Sequence, residues 1–261
     1  MKFRPCIDIH DGKVKQIVGG SLRDEKGQAV ENFVAKQDAA YFAQLYKKYE
    51  LKGGHIILLN KSGTEEYELT KKQALFSLAA YPGGLQVGGG ITAENAQEFL
   101  DAGASHVIVT SYVFSDGRLH EDNLKKICEA VGKEKLVLDL SCRKKGNDYV
   151  IVTDRWQKET EFVLNHENMD YLAGYCDEFL IHAVDVEGKM QGIEEELATL
   201  LGNWGKLPVT YAGGVHTFED LKLLKTLGKD RLDVTVGSAL DLFGGNLSFT
   251  EMLDYLKKSQ S

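Results

Sequence analysis

Short runs of apolar and β-branched residues recur along the chain at Phe3–Ile9, His55–Leu59, Leu85–Val87, His106–Val109, Leu136–Leu140, Glu178–Ile181, Val209–Ala212 and Asp233–Val236. Between most of them lie stretches whose apolar residues return every three or four positions, the spacing of an amphipathic helix. Examples are Ala39–Tyr49 behind Asp38, Ala93–Ala102 behind Thr92, Leu124–Val131, and Phe218–Leu227 behind Thr217. Asp and Thr are good N-cap residues, and Gly103, Gly132 and Gly228 stand where helices should end. Strands that alternate with helices pair in parallel through crossovers. Eight such strands in 261 residues predict a single α/β domain, a (β/α)8 barrel rather than an open doubly wound sheet.

The pattern also repeats. "VGGGIT" and "VIVTSYVF" in the first half are echoed by "YAGGVHT" and "VTVGSALDLF" in the second, and "PCIDIHDGK" by "LVLDLSCRKKG". Asp8 and Asp139 are 131 residues apart and Gly89 and Gly213 are 124 apart, both near half the chain. Two similar half-barrels are therefore expected, at roughly 1–132 and 133–261.

Composition narrows the class. With 43% hydrophobic residues the chain can bury a large core, and only three prolines leave no Pro-rich linker. A net charge of −8 and a pI near 5.4 argue against a general nucleic-acid or anionic-membrane binder. Cys6, Cys128, Cys142 and Cys176 form no CxxC pair, so neither zinc nor a redox dithiol is expected, and a reducing cytosol fits. Met1–Gly12 has no apolar signal core, no run approaches a membrane span, and the triplets at Asn60 and Asn246 read as chance.

In such a barrel the chemistry sits at the C-terminal strand ends. Asp8 and Asp139 occupy the ends of the first and fifth strands, which face each other across the mouth. A carboxylate inside an apolar strand is costly unless it has a role, and an opposed pair suits acid–base work on a ligand between them. Glycine directly after a strand lets backbone amides approach an anion, and a helix starting there adds its positive end. Gly89 and Gly90, beside Thr110 and Ser111, form one expected phosphate cradle; Gly213 and Gly214, beside Gly237 and Ser238, form the other. The implied ligand carries a phosphate at each end. The long fifth loop, 141–157, offers Arg143 and Trp156, the latter as a lid able to stack on a base. The sixth strand end presents His182, Asp185 and Glu187, of which one is expected to touch ligand. His10 and His106 read as packing residues.

Together, "CIDIHDGKVKQIVGG", "LQVGGGI", "VIVTS", "DLSCRK", "FLIHAVDVEG", "YAGG" and "DLFGGNL" make the chain resemble, over nearly its whole length, the phosphoribosylformimino aminoimidazole carboxamide ribotide isomerases of histidine biosynthesis, and most of all their fungal and plant branch. The resemblance implies a half-barrel repeat that binds a bisphosphate ribotide. It implies a cofactor-free Amadori rearrangement of an aminoaldose to an aminoketose, with Asp8 as base and Asp139, or else Asp185 or Glu187, as acid. The acid would need a raised pKa to keep its proton near neutrality. Family members carry a carboxylate in a "DG" turn after the sixth strand; here the place reads Glu187-Gly188, with Asp185 close by. Two positions depart from the bacterial pattern: Thr92 stands where an Arg is common, and His182 where a Thr is. The nearest rival is the sister cyclase of the pathway, which needs ammonia; a silent sugar-phosphate-binding barrel is the other. A monomer in the cytoplasm, without metal, nucleic-acid or membrane partner, completes the expectation.

Overall fold

The computed structural model describes residues 1–17 and 31–258; Val18–Gly20 of the "CIDIHDGKVKQIVGG" motif therefore lie outside the described residues. Eight parallel strands form the barrel wall: β1 (Cys6–His10), β2 (Gly54–Leu58), β3 (Leu85–Gly88), β4 (Val107–Val109), β5 (Leu136–Asp139), β6 (Glu178–His182), β7 (Val209–Ala212) and β8 (Leu232–Thr235). Each pairs in parallel with the next. Just before β1, Phe3 bridges to Val234 of β8, and Arg4 N–H donates to the Val234 carbonyl at 2.8 Å, which closes the ring. A (β/α)8 barrel results.

Alternation along each strand decides what faces where. Ile7, Ile9, Ile56, Leu85, Val87, Leu138, Phe179 and Ile181 are fully buried in the main core, under the helical layer. The other set points into the lumen, which is layered. At the N-terminal end Arg4 holds Asp233 at 2.8 Å and Gln86 donates to Glu178 at 2.9 Å. In the middle Ile108, Val137 and Leu180 form a separate apolar plug, with Ile57 packed against it. Asp8, Asp139 and His182 stand above that plug. Two strand residues further on, the apolar lining gives way to titratable groups, which explains why the chemistry collects at one end only.

Helices α1 (Ala39–Lys48), α2 (Glu65–Ala80), α3 (Ala96–Asp101), α4 (Glu121–Val131), α5 (His166–Leu172), α6 (Glu195–Trp204), α7 (Phe218–Leu227) and α8 (Phe249–Lys258) surround the strands. The Asp38 side chain caps α1, and Thr217 with Asp220 forms a capping box at α7. The expected Thr92 cap is not made. The Asn95 side chain accepts from Thr92 N–H at 2.9 Å instead, so residues 92–95 form turns and α3 begins only at Ala96. Helix α2 carries exposed Leu69 and Phe76 alongside buried Thr70 and Ser77, so no clean apolar stripe announces it.

Two additions bear on the mouth. A hairpin of Lys13–Ile17 and Glu31–Val34 extends the sheet from β1. The fifth loop is a three-stranded antiparallel sheet, Cys142–Lys145, Asp148–Thr153 and Lys158–Val163, with Trp156 in the turn between the last two strands. Among the described residues no helix is long and apolar enough to cross a membrane. The four cysteines are free thiols.

Candidate active site

The cavity at the C-terminal strand ends is lined by Asp8, Gln16, His182, Glu187 and the paired glycine tracts at Gly213–Gly214 and Gly237. The structure thus brings one predicted phosphate cradle into the same cavity as Asp8, His182 and Glu187. Asp8 reaches it because β1 ends in "DIHDG": the Asp11 carboxyl and Asn60 amide clasp each other at 2.8 Å, and Gly12 N–H donates to Thr70, so the chain turns just past the strand. Asn60 of the "NKS" triplet therefore has a structural use. Burial raises Asp8 to a pKa of about 7; His182 opposes the rise and Glu187 adds to it. Burial likewise pushes the Glu187 carboxyl up, again opposed by His182.

Asp139 does not behave as a held acid. Despite burial, which pushes upward, its pKa is lowered by His182 and by Ser141. Both the N–H and the hydroxyl of Ser141 donate to Asp139 Oδ1, at 2.8 and 2.6 Å. His182 Nδ1 lies 3.6 Å from Asp139 Oδ2 and 3.1 Å from Ser141 Oγ. The raised pKa expected of Asp139 is therefore corrected: the carboxylate is the ionised partner of an imidazolium. His182 is itself raised to about 9, because burial, which lowers it, is outweighed by Asp139 with help from Glu187 and Asp8. His55 on β2 meets the His182 ring edge to face at 5.8 Å and stays neutral, driven down to about 3 by burial and by the charge on His182. Trp156 packs on His182 at 5.4 Å between ring centroids.

The other predicted residues are placed differently. Asp185 Oδ1 accepts from Arg143 Nε at 3.2 Å and its Oδ2 from Lys144 N–H at 2.9 Å, so Asp185 and Arg143 brace the fifth loop. Gly89, Gly90, Thr110 and Ser111 lie outside the lining of the cavity that holds Asp8. The tip of the fifth loop sits on that side, with Asp154 N–H donating to Ser111 Oγ at 3.3 Å. Sequence reasoning missed Ser141, His55 and Gln16. Ser141 lies two positions after Asp139, the offset that lets a hydroxyl reach back to a carboxylate, and that was the available signal. Gln16 is buried, and its Oε1 accepts from Ser238 Oγ at 3.5 Å at the rim of the Gly237 cradle. His106, Asp177 and Glu178 do approach one another closely enough to hold an ion, but at the N-terminal ends of the strands, where Gln86 already donates to Glu178.

Residues 2–247 match the family model for the histidine biosynthesis protein. The chain is 54% identical over 257 residues to a chloroplastic 1-(5-phosphoribosyl)-5-((5-phosphoribosylamino)methylideneamino)imidazole-4-carboxamide isomerase of Medicago truncatula, covering 97% of this chain and 81% of that one. The isomerase of the same name from Neurospora crassa is 47% identical, with 94% and 93% covered, and that of Saccharomyces cerevisiae 42%, with 94% of each covered. The barrel, the opposed strand-end carboxylates and these relatives agree: the chain belongs to the histidine biosynthesis protein family.

Proposed function

We propose that the protein is the histidine-pathway isomerase that converts the aminoaldose form of the bisphosphate ribotide to its aminoketose by an Amadori rearrangement. The observation that carries this reading is the cavity in which Asp8 and His182, the latter paired with Asp139, stand over a glycine cradle. The reaction needs an acid to open the ribose ring and a base to take the C2′ proton, and both must work near neutrality. Asp8, with its pKa near 7, suits the base. The proton for ring opening comes from the Asp139–His182 wall. Amides of Gly213, Gly214 and Gly237 with Ser238 would hold one phosphate, and Gly89, Gly90, Thr110 and Ser111 the other. Trp156 would cover the bound base.

The internal duplication supports a two-ended ligand, each half, roughly 1–132 and 133–261, contributing one cradle. No cofactor is required by this chemistry, because every proton that leaves one atom of the substrate returns to another. A cytoplasmic monomer is the simplest setting for it, although the Medicago truncatula relative is named as chloroplastic. Turnover of the purified protein with the aminoaldose ribotide, beside the cyclase substrate plus ammonium, tests the reading. Aminoketose from the first alone supports it; activity only with the second would make the protein the sister cyclase.

A further inference from the structure

His182 lines the cavity with Asp8 and Glu187, and Asp139, buried to a similar degree, meets its ring from the end of β5, with Oδ2 3.6 Å from Nδ1. The ring is fixed on several sides. Nδ1 is turned to Asp139 and Ser141, His55 abuts the ring at 5.8 Å, and Trp156 packs on it at 5.4 Å. An imidazole anchored by Nδ1 presents Nε2 from its opposite edge. Among the described residues no group hydrogen-bonds Nε2, and no buried side-chain nitrogen or oxygen is left unsatisfied, so this edge opens on the cavity.

We infer that His182, not Asp139, donates the ring-opening proton, with Asp139 and Ser141 as positioning residues that hold and orient its ring. This assignment rests on the isomerase reading and specifies its acid. Both Ser141 donors converge on one oxygen of Asp139, and hydrogen bonds of that kind favour the ionised carboxylate. A protonated Asp139 would lose the charge that those bonds and the imidazolium stabilise. The charged groups facing His182 are Asp139 on β5, Asp8 on β1 and Glu187 beyond β6, all acidic, while His55 on β2 is the one opposing base and is neutral. Every charge around the ring therefore favours the protonated form.

The protons then balance. His182 Nε2–H goes to O4′ as the C1′–O4′ bond breaks, and the nitrogen lone pair forms the C1′=N bond of a protonated Schiff base. Asp8 takes the C2′ proton; that C–H pair becomes the C1′=C2′ bond, and the C=N pair returns to nitrogen. The enol O2′–H proton restores His182, and Asp8 delivers its proton to C1′, giving the C2′ ketone. Nothing is oxidised or reduced by an outside agent, and both residues end as they began.

Imidazole nitrogen resonances of the full-length protein, followed against pH without ligand, test the assignment. In the wild type His182 should titrate near pH 9, and in Asp139→Asn or Ser141→Ala its midpoint should fall, furthest in Asp139→Asn. The alkaline limb of kcat/KM should move down with it, while the acid limb near pH 7, set by Asp8, should hold or move up as the opposing charge on His182 is lost. His182→Gln should lose about 10²–10⁴-fold in kcat, and Glu187→Gln much less. A His182 that is neutral at pH 7, or an alkaline limb unmoved in Asp139→Asn, would overturn the proposal while wild-type turnover kept the isomerase reading intact. Absence of turnover by the wild type would overturn both.

Discussion

A side chain at Gly89 would begin 2.1 Å from the carbonyl oxygen of Leu58. Gly89 also has φ of 99°, a conformation that L-residues rarely adopt. The first glycine tract is thus needed for the close passage of β2 beside the turn after β3, whatever else it binds. Gly89→Ala is expected to destabilise the fold, by ~1–2 kcal/mol from the backbone conformation alone and by more from the contact. A thermal melt within about 1 °C of wild type would contradict this.

Gly237 gives a cleaner probe of phosphate binding. Its φ is not in the left-handed range, and the nearest atom to an added Cβ is Gln16 Oε1 at 2.3 Å, the far end of a side chain that can swing away. Gly237→Ala should fold, and yet bind inorganic phosphate several-fold more weakly by calorimetry. Unchanged phosphate affinity with an unchanged melt would remove Gly237 from the cradle.

Asp8→Asn should cost about 10²–10⁴-fold in turnover, since an amide keeps the shape and cannot take the C2′ proton. Its effect on stability has the opposite sign. Asp8 is raised from 3.8 to about 7, chiefly by burial. Between those values the folded state binds more protons than the unfolded one, so this group's contribution falls as pH rises through the window. The penalty is complete above pH 7, on the order of 4 kcal/mol. Asp8→Asn should therefore melt several degrees higher than wild type at pH 8, with no advantage below about pH 4. A variant less stable than wild type at pH 8 would show that the buried charge is not strained.

Strand positions and the register of the strand-end carboxylates were legible because eight apolar runs and a two-residue alternation leave little choice. The glycine tracts and the opposed aspartates could be read from position in the repeat, and Trp156 from its polar setting in a long loop. The charge state of Asp139 could not, since it is set by Ser141 and by His182, 43 residues further on, and only folding shows that they meet. The Thr92 cap failed for a similar reason. The Asn95 side chain is engaged upstream, accepting from Thr92 N–H and donating to the Gly90 carbonyl at 2.9 Å, so α3 begins without a side-chain cap.

Metal removal should leave turnover unchanged. The one group of potential ligands among the described residues, His106, Asp177 and Glu178, sits at the end of the barrel away from Asp8 and His182. Its Glu178 is engaged by Gln86, with Arg4 4.0 Å away, and a cation nearby disfavours a second one. A rate that falls in EDTA and returns with a divalent ion would require a ligand set elsewhere.

Trp156 occupies a turn that is held in place from outside. Asp154, Arg155 and Trp156 all have φ between 53° and 66°, and no glycine among them eases the left-handed conformation. Each such residue costs roughly 1–2 kcal/mol, so the tip persists through its contacts: Asp154 N–H on Ser111 and the indole against His182. Ser111 stands on the loop after β4 and His182 at the end of β6, so the two anchors lie on either side of β5. A ligand spanning both cradles would displace the first contact and gain the indole as a stacking surface. Ring contacts of this kind contribute about 0.5–1.5 kcal/mol. Trp156→Ala is accordingly expected to raise KM for the ribotide about 3–10-fold, with Trp156→Phe recovering most of the loss. Protease digestion supplies the second reading: the Ala variant should be cut within 154–157 faster than wild type, and saturating ligand should protect wild type more than the variant. Equal KM and equal cutting in the two proteins would show the indole to be surface packing on His182 and nothing more.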